Sequence, residues 1–201
     1  MSEEKYAQYF ELLRQWNKKL NLTSIDDEDG FRSKHLGDSL QVVPFLNDAK
    51  KILDLGSGAG LPGILIKIAR PNIEVTLLDA TRKKVSFCNE VVRKLSLSGI
   101  RAVWGRAEDA ALQQSLGKFD LVVSRATWKL HEFLRIAKPY INPDGRCLAM
   151  KGSDWAAELE AVGNDEISHF YAMEGTHPYE LLSGESRCIV VFKLQDSHSP
   201  T

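Results

Sequence analysis

Between Lys51 and Met150 the chain alternates short apolar runs with segments of helical spacing. The runs are "KILDL" (51–55), "EVTLLDA" (74–80), "RAVWG" (101–105), "DLVVS" (120–124) and "RCLAM" (146–150). They are rich in Val, Leu and Ile and nearly continuous, as in strands buried on both faces. The spacing predicts helices over 62–69, 82–96, 109–116, 128–140 and 153–162. That alternation implies a parallel sheet with helices on both sides. Two last runs, "ISHFYAM" and "RCIVVFK", follow with no clear helix between them. They predict a hairpin that ends the sheet with an antiparallel edge strand.

A helical front precedes this pattern. Tyr6, Tyr9, Phe10, Leu13, Trp16 and Leu20 recur at spacings of three and four, which puts them on one face of a helix over 3–20. An acidic loop, "DDEDG", leads into "FRSKHLGDSLQVVPFL", read as one or two further helices. The expected organisation is a helical cap over 1–48 within the same globular unit, an α/β domain over 49–194 and a polar tail over 195–201. A length of 201 residues with 43% hydrophobic content suits one such unit.

Composition excludes several classes. Lys and Arg number 26 against 27 Asp and Glu, so a polyanion must be met by a local patch rather than by overall charge. Cys88, Cys147 and Cys188 are far apart and lie in apolar runs, so neither a metal site nor a disulfide framework is expected. The start, "MSEEKYAQYF", is too polar for a signal peptide, and no apolar run approaches the ~20 residues that span a bilayer. A cytoplasmic location and no membrane partner are expected.

The stretch "DLGSGAGLPG" (54–63) carries the chemistry. Gly58-Ala-Gly60-Leu-Pro-Gly63 matches the dinucleotide fingerprint, but Asp54 at the strand end would set a like charge against a pyrophosphate. No Gly-Lys-Ser/Thr follows, so it is not a P-loop. A cofactor with a cationic head removes the conflict. S-adenosylmethionine offers a sulfonium and an ammonium to Asp54. Its carboxylate can take N–H groups of the Gly56, Ser57, Gly58 and Gly60 loop. Asp79 ends the second strand, where an acid accepts hydrogen bonds from ribose hydroxyls. Glu108, in "GRAED" after the third strand, can bind an adenine amino group beside the Ala107 N–H. Ligands in open α/β sheets sit at these carboxyl ends of the strands.

These motifs, with "RKKVSF", "FDLVVSRA", "WNKKLNLTSI" and "KHLGDSL", resemble the RsmG (GidB) family, from about Trp16 to about Gly152. Its members are bacterial 16S ribosomal RNA methyltransferases that modify guanine at N7. The resemblance implies a class I S-adenosylmethionine-dependent methyltransferase fold: a Rossmann-like seven-stranded sheet, its last strand antiparallel, with an N-terminal helical extension. It also implies cofactor contacts at Gly56, Leu61, Ala107, Glu108 and Arg125. The chain departs from the family pattern at Lys34, Gly37 and Trp128 and in "DATRKK".

The chemistry agrees with that acceptor. Guanine N7 carries its lone pair in the ring plane with no proton to remove, so no general base is expected. The Asn/Asp-Pro-Pro-Tyr/Phe signature of exocyclic-amine enzymes is missing after the fourth strand, which reads "VVSRAT". No cysteine stands where a pyrimidine-C5 enzyme needs its nucleophile. Arg125 is expected to orient the site, with a structural ion pair as the alternative. Lys151 either meets RNA phosphate or is a solvated surface lysine. His35 and Asp38, three apart, either cap the base pocket or tie the front helices to the domain.

Arg82, Lys83 and Lys84 start a helix, where cations oppose the helix dipole unless an anion lies nearby. Together with Lys18, Lys19, Arg32 and Lys34 they are expected to contact RNA phosphates, or to be ordinary solvated faces. The expected partner is 16S rRNA or a small-subunit assembly particle, met by a monomer. Three rivals stand beside this reading: a methyltransferase of the same fold acting on another RNA or a small molecule, a nucleotide-binding oxidoreductase, and a noncatalytic RNA-binding module.

Overall fold

The computed structural model describes residues 2–195, so the polar tail expected beyond Gln195 lies outside the described residues. The sheet has seven strands in the order β3-β2-β1-β4-β5-β7-β6. They are β1 (Lys51–Leu55), β2 (Glu74–Asp79), β3 (Ile100–Trp104), β4 (Phe119–Arg125), β5 (Ile141–Lys151), β6 (Tyr171–Glu180) and β7 (Ser186–Leu194). The first five pair in parallel, and β7 runs antiparallel to both β5 and β6. The chain runs outward from β1 through β2 to β3, then returns to lay β4 on the other side of β1. That reversal is where such sheets open a crevice for a ligand.

Among the described residues, seven longer helical elements accompany the sheet, besides short 3₁₀ turns. They are α1 (Ser2–Leu20), α2 (residues 28–40), α3 (Gly63–Ala69), α4 (Arg82–Lys94), α5 (Ala110–Leu116), α6 (Leu130–Ala137) and α7 (Trp155–Gly163). The α2 run contains a π-helical stretch over Phe31–Gly37. Side chains alternate across each strand. Ile52, Leu77 and Val123 therefore join one apolar cluster, while Leu53, Leu78 and Val122 join another on the opposite face. The first cluster also takes Tyr6, Tyr9, Phe10 and Leu13 of α1 with Phe31 and Leu36 of α2. The front helices thus share their apolar side with the sheet.

One expectation is corrected at the end of the chain. Residues Glu166–Phe170 form a 3₁₀ turn instead of strand, because the Asp165 side chain accepts from the Ile167 N–H and fixes a helical start. The expected hairpin closes the sheet: β7 lies between β5 and β6, antiparallel to both, and β6 is the edge strand. Cys188 to Phe192 are all buried, so this run is apolar toward both faces. The β6 run "YAMEGTHPYE" is polar and contains Pro178, which a sheet accepts at its edge.

Candidate active site

The loop between β1 and α3 is held from below. The N–H groups of Gly56 and Ser57 both donate to the Leu78 carbonyl of β2, at 2.8 and 3.1 Å. Gly58 has a φ of +57°, a left-handed conformation that favours glycine, and its N–H donates to Asp79 Oδ2 at 2.8 Å. Gly63 is required by space: a Cβ there would lie 2.3 Å from Leu77 Cδ2 and 2.7 Å from Asp54 Oδ2. The close approach lets the Gly63 N–H donate to Asp54 Oδ2 at 2.8 Å. The Leu61–Pro62 peptide is cis, which the sequence did not signal.

Asp54 is fully buried beneath this loop. Its Oδ1 has no hydrogen-bond partner. Burial pushes the carboxyl up to about 7, against the opposing pull of the Gly63 N–H and of Arg125. A buried carboxylate oxygen with nothing to accept from is costly, and a cation or a proton resolves it. Asp79 is buried as well, and its Oδ1 accepts from the Thr81 N–H at 2.7 Å. Each of its oxygens thus holds one backbone donor, and a carboxylate still has lone pairs to offer a ribose. Past β3, the Ala107 carbonyl accepts from Tyr140 Oη at 2.8 Å and from Gln113 Nε2 at 2.9 Å. Those bonds pin the turn that carries the exposed Glu108. Ser57 and Leu61 are buried, with the Leu61 side chain in the apolar cluster. An orphaned acid, a second acid at the next strand end and a glycine-lined approach between them fit S-adenosylmethionine.

Arg125, at the end of β4, reaches back to the helical front. Its Nη1 lies 3.2 Å from Asp38 Oδ2, and both terminal nitrogens lie 3.4 Å from His35 Nδ1. Burial and the guanidinium hold His35 down at about 4, so it is neutral at pH 7. An arginine can only donate, so Nδ1 accepts and the ring proton sits on Nε2, donating to Thr23 Oγ1 at 2.7 Å. Asp38 Oδ1 in turn accepts from the Tyr179 hydroxyl of β6 at 2.6 Å. His35 and Asp38 therefore tie the front to the sheet and border the site at once. They line a cleft of about 490 Å³ with Arg125, Met150, Gly152 and Arg187. Two other clefts, of about 440 and 610 Å³, open at the amino ends of the strands and contain none of the predicted site residues.

Lys151 is not the solvated surface lysine of one expectation, and it lines the same cleft as Arg125. It is buried, and its Nζ donates to the Trp128 carbonyl at 2.5 Å and pairs with Glu158 Oε2 at 2.6 Å. That ammonium anchors the segment after β4 and is engaged within the protein. The basic residues also divide. Arg82 and Lys83 are exposed at the start of α4, Lys84 beside them is partly so, and no acid stands in that first turn. Lys18 and Lys19 are exposed in the last turn of α1, where the helix dipole already favours cations. Arg32 instead pairs with Glu28 and Glu3, and Lys34 with Glu185. All three cysteines are buried, and burial pushes the Cys147 thiol up to about 12, so no thiolate nucleophile is at hand. Thr23, Tyr179 and Arg187 complete the surroundings of Arg125 without having been singled out in the sequence. Only their distance in space, not their spacing, assembles them.

The family model described as GidB, rRNA small subunit methyltransferase G, matches residues 2–179. This chain belongs to that family. A relative from Syntrophotalea carbinolica, named ribosomal RNA small subunit methyltransferase G, is 41% identical over 186 residues, covering 92% of this chain and 86% of its own. Relatives of the same name from Streptococcus pyogenes serotype M12 and Clostridium botulinum are each 35% identical, covering 94% and 98% of this chain and 81% and 79% of their own. Among solved structures, TrmN from Thermus thermophilus superimposes with a TM-score of 0.63 at 19% identity, covering 81% of this chain and 53% of its own. The PH0226 protein from Pyrococcus horikoshii superimposes with a TM-score of 0.63 at 12% identity, covering 92% and 99%. At such identities the superpositions speak to fold alone, and they agree with the class I methyltransferase sheet. The family's methyltransferase chemistry, with S-adenosylmethionine as donor, displaces the oxidoreductase reading of the glycine fingerprint. Among the described residues no helix is long and apolar enough to cross a membrane.

Proposed function

We propose that this protein transfers a methyl group from S-adenosylmethionine to N7 of a guanine in 16S rRNA. The observation that carries the reading is the family match over residues 2–179, which spans both the glycine loop and the Arg125 cleft. When bound, the cofactor supplies a methyl group on a sulfonium whose sulfur departs as a neutral thioether. The rest falls to the chain. Main-chain groups of Gly56, Ser57, Gly58, Gly60 and Leu61 border the cofactor, and Asp54 compensates its positive charge from beneath. Asp79 accepts from the ribose, while Ala107 and Glu108 take the adenine. Arg125, held by Asp38 and His35, donates toward the incoming guanine and leaves N7 unprotonated for attack. Neutral His35 removes no proton in this scheme, as N7 chemistry requires none. Alignment of two desolvated partners is the main lever, worth about 7–11 kcal/mol in favourable cases.

Arg82, Lys83 and Lys84, with Lys18 and Lys19, meet phosphates of the RNA. Arg32 and Lys34 take part only if their glutamate pairs open. Lys151 shapes the pocket wall, its ammonium held by Glu158 and the Trp128 carbonyl. The protein acts as a cytoplasmic monomer on naked or partly assembled small-subunit rRNA. Mass analysis of 16S rRNA from cells lacking the gene tests the reading. Loss of one 7-methylguanosine, restored by the purified chain with S-adenosylmethionine, is expected; an unchanged nucleoside profile overturns it.

A further inference from the structure

Trp104 ends β3, the outermost strand on its side of the sheet, in register with Asp79. It is 57% exposed, yet it is not loose: its Nε1 donates to the Ala80 carbonyl at 3.0 Å. The Arg82 guanidinium carbon lies 5.6 Å from the centroid of the indole ring. Isolated exposed hydrophobic residues need no explanation, and Met173 and Leu182 are such cases here. Trp104 differs on three counts. Its ring is oriented by a hydrogen bond, a cation rests on it, and Lys83 and Lys84 follow on the same helix turn. All of this stands at the carboxyl ends of the strands, the rim that carries Asp54, Asp79 and Arg125. A flat π surface beside clustered cations is the combination that takes a nucleobase and its phosphate.

We infer that Trp104 and Arg82 form a stacking step for an unpaired nucleotide of the RNA substrate, distinct from the methylated guanine. The base lies on the indole, and its phosphate is met by Arg82 and Lys83. The strand order places β3 three strand spacings from β4, so the step stands about 14 Å from the Arg125 cleft. Both ends of the rim then grip one RNA segment, and the cofactor loop lies between them. This inference rests on the RNA-methyltransferase reading above.

Kinetics of the full chain with deproteinised 16S rRNA and S-adenosylmethionine test it. Trp104→Ala is expected to raise KM for the RNA about 5- to 150-fold, the range that loss of one stacked base produces. The kcat at saturating RNA and the cofactor Kd should stay within about twofold, and Trp104→Phe should recover most of the loss, since the phenyl ring keeps a π face. Arg82→Gln should weaken RNA binding and lower its salt dependence by about one phosphate contact. An unchanged KM in Trp104→Ala overturns the inference. So does a weakened cofactor Kd, which would assign the ring to the cofactor's adenine. If the unaltered chain methylates no rRNA, the broader reading fails instead. Filter retention of the same rRNA by parent and Trp104→Ala then decides the stacking step alone: equal retention refutes it, and reduced retention upholds it.

Discussion

At the scale of single residues, the decisive group is Asp54. Its carboxyl is held up at about 7 by burial, so around neutrality it is divided between protonated and ionised forms. The sign for folding follows directly. Between the ordinary carboxylate range and pH 7, the folded chain keeps a proton that the unfolded chain has released. The group therefore favours folding at low pH, and that contribution is lost as pH rises through this window. The sign for a cationic ligand is opposite, because only the ionised form attracts it. Affinity for S-adenosylmethionine should increase from pH 5.5 through 7 and level off by about pH 8. Isothermal titration calorimetry across that range checks it. Asp54→Asn, which accepts the Gly63 N–H but carries no charge, should bind weakly and without that slope. A slope that persists in the variant would assign the titration to another group. Asp54 was legible in the sequence as an acid at a strand end. Its burial under the loop and its unpartnered oxygen were not, because they depend on Leu77 and Gly63 closing over it. Lys151 shows the same limit: nothing in "AMKG" announces that Glu158, seven residues on, will reach back and bury the ammonium.

At the scale of elements, α1 carries its weight through one face. Tyr9 and Leu13 are buried against the sheet-side cluster, and the Tyr9 hydroxyl donates to the Ala59 carbonyl at 2.8 Å. That bond joins the first helix to the cofactor loop across fifty residues of chain. Leu13→Ala should destabilise the fold by about 2–5 kcal/mol, the usual range for a buried leucine truncated in a close-packed core. Urea unfolding with an unchanged m-value would measure it. The face of α1 was readable from its three-and-four spacing, since that periodicity is local. The five parallel strands were readable for the same reason, each being a short, nearly continuous apolar run, although β3 at its edge is only partly buried. The order of the last two strands was not, because a hairpin can dock on a sheet by either strand. The apolar content of "RCIVVFK" against "YAMEGTHPYE" decides which one goes inside.

At the scale of the whole molecule, the cofactor loop is bonded to several elements at once. Its contacts run to β2 through Leu78 and Asp79, to α1 through Ala59 and to α3 through the Gly60 carbonyl, which accepts from the Ile64 N–H. A ligand that binds only this assembled arrangement stabilises all of it. At one hundred times its Kd, S-adenosylmethionine should add about 2.7 kcal/mol, which for a domain of this size raises Tm by about 5–10 °C. Differential scanning calorimetry with S-adenosylmethionine and with NAD in parallel checks both the size and the choice of ligand. A shift with NAD and none with S-adenosylmethionine would contradict the account.

The guanidinium at the end of β4 is steadied from both directions along the chain: Asp38 and His35 come early, and Tyr179, which holds Asp38, comes from the penultimate strand. A Tyr179→Phe change would thus leave every glycine of the loop and the whole sheet in place while removing the hydroxyl that keeps Asp38 in position. Inactivating lesions in the gene need not cluster around the cofactor motif; those scattered toward its two ends can disarm the same arginine.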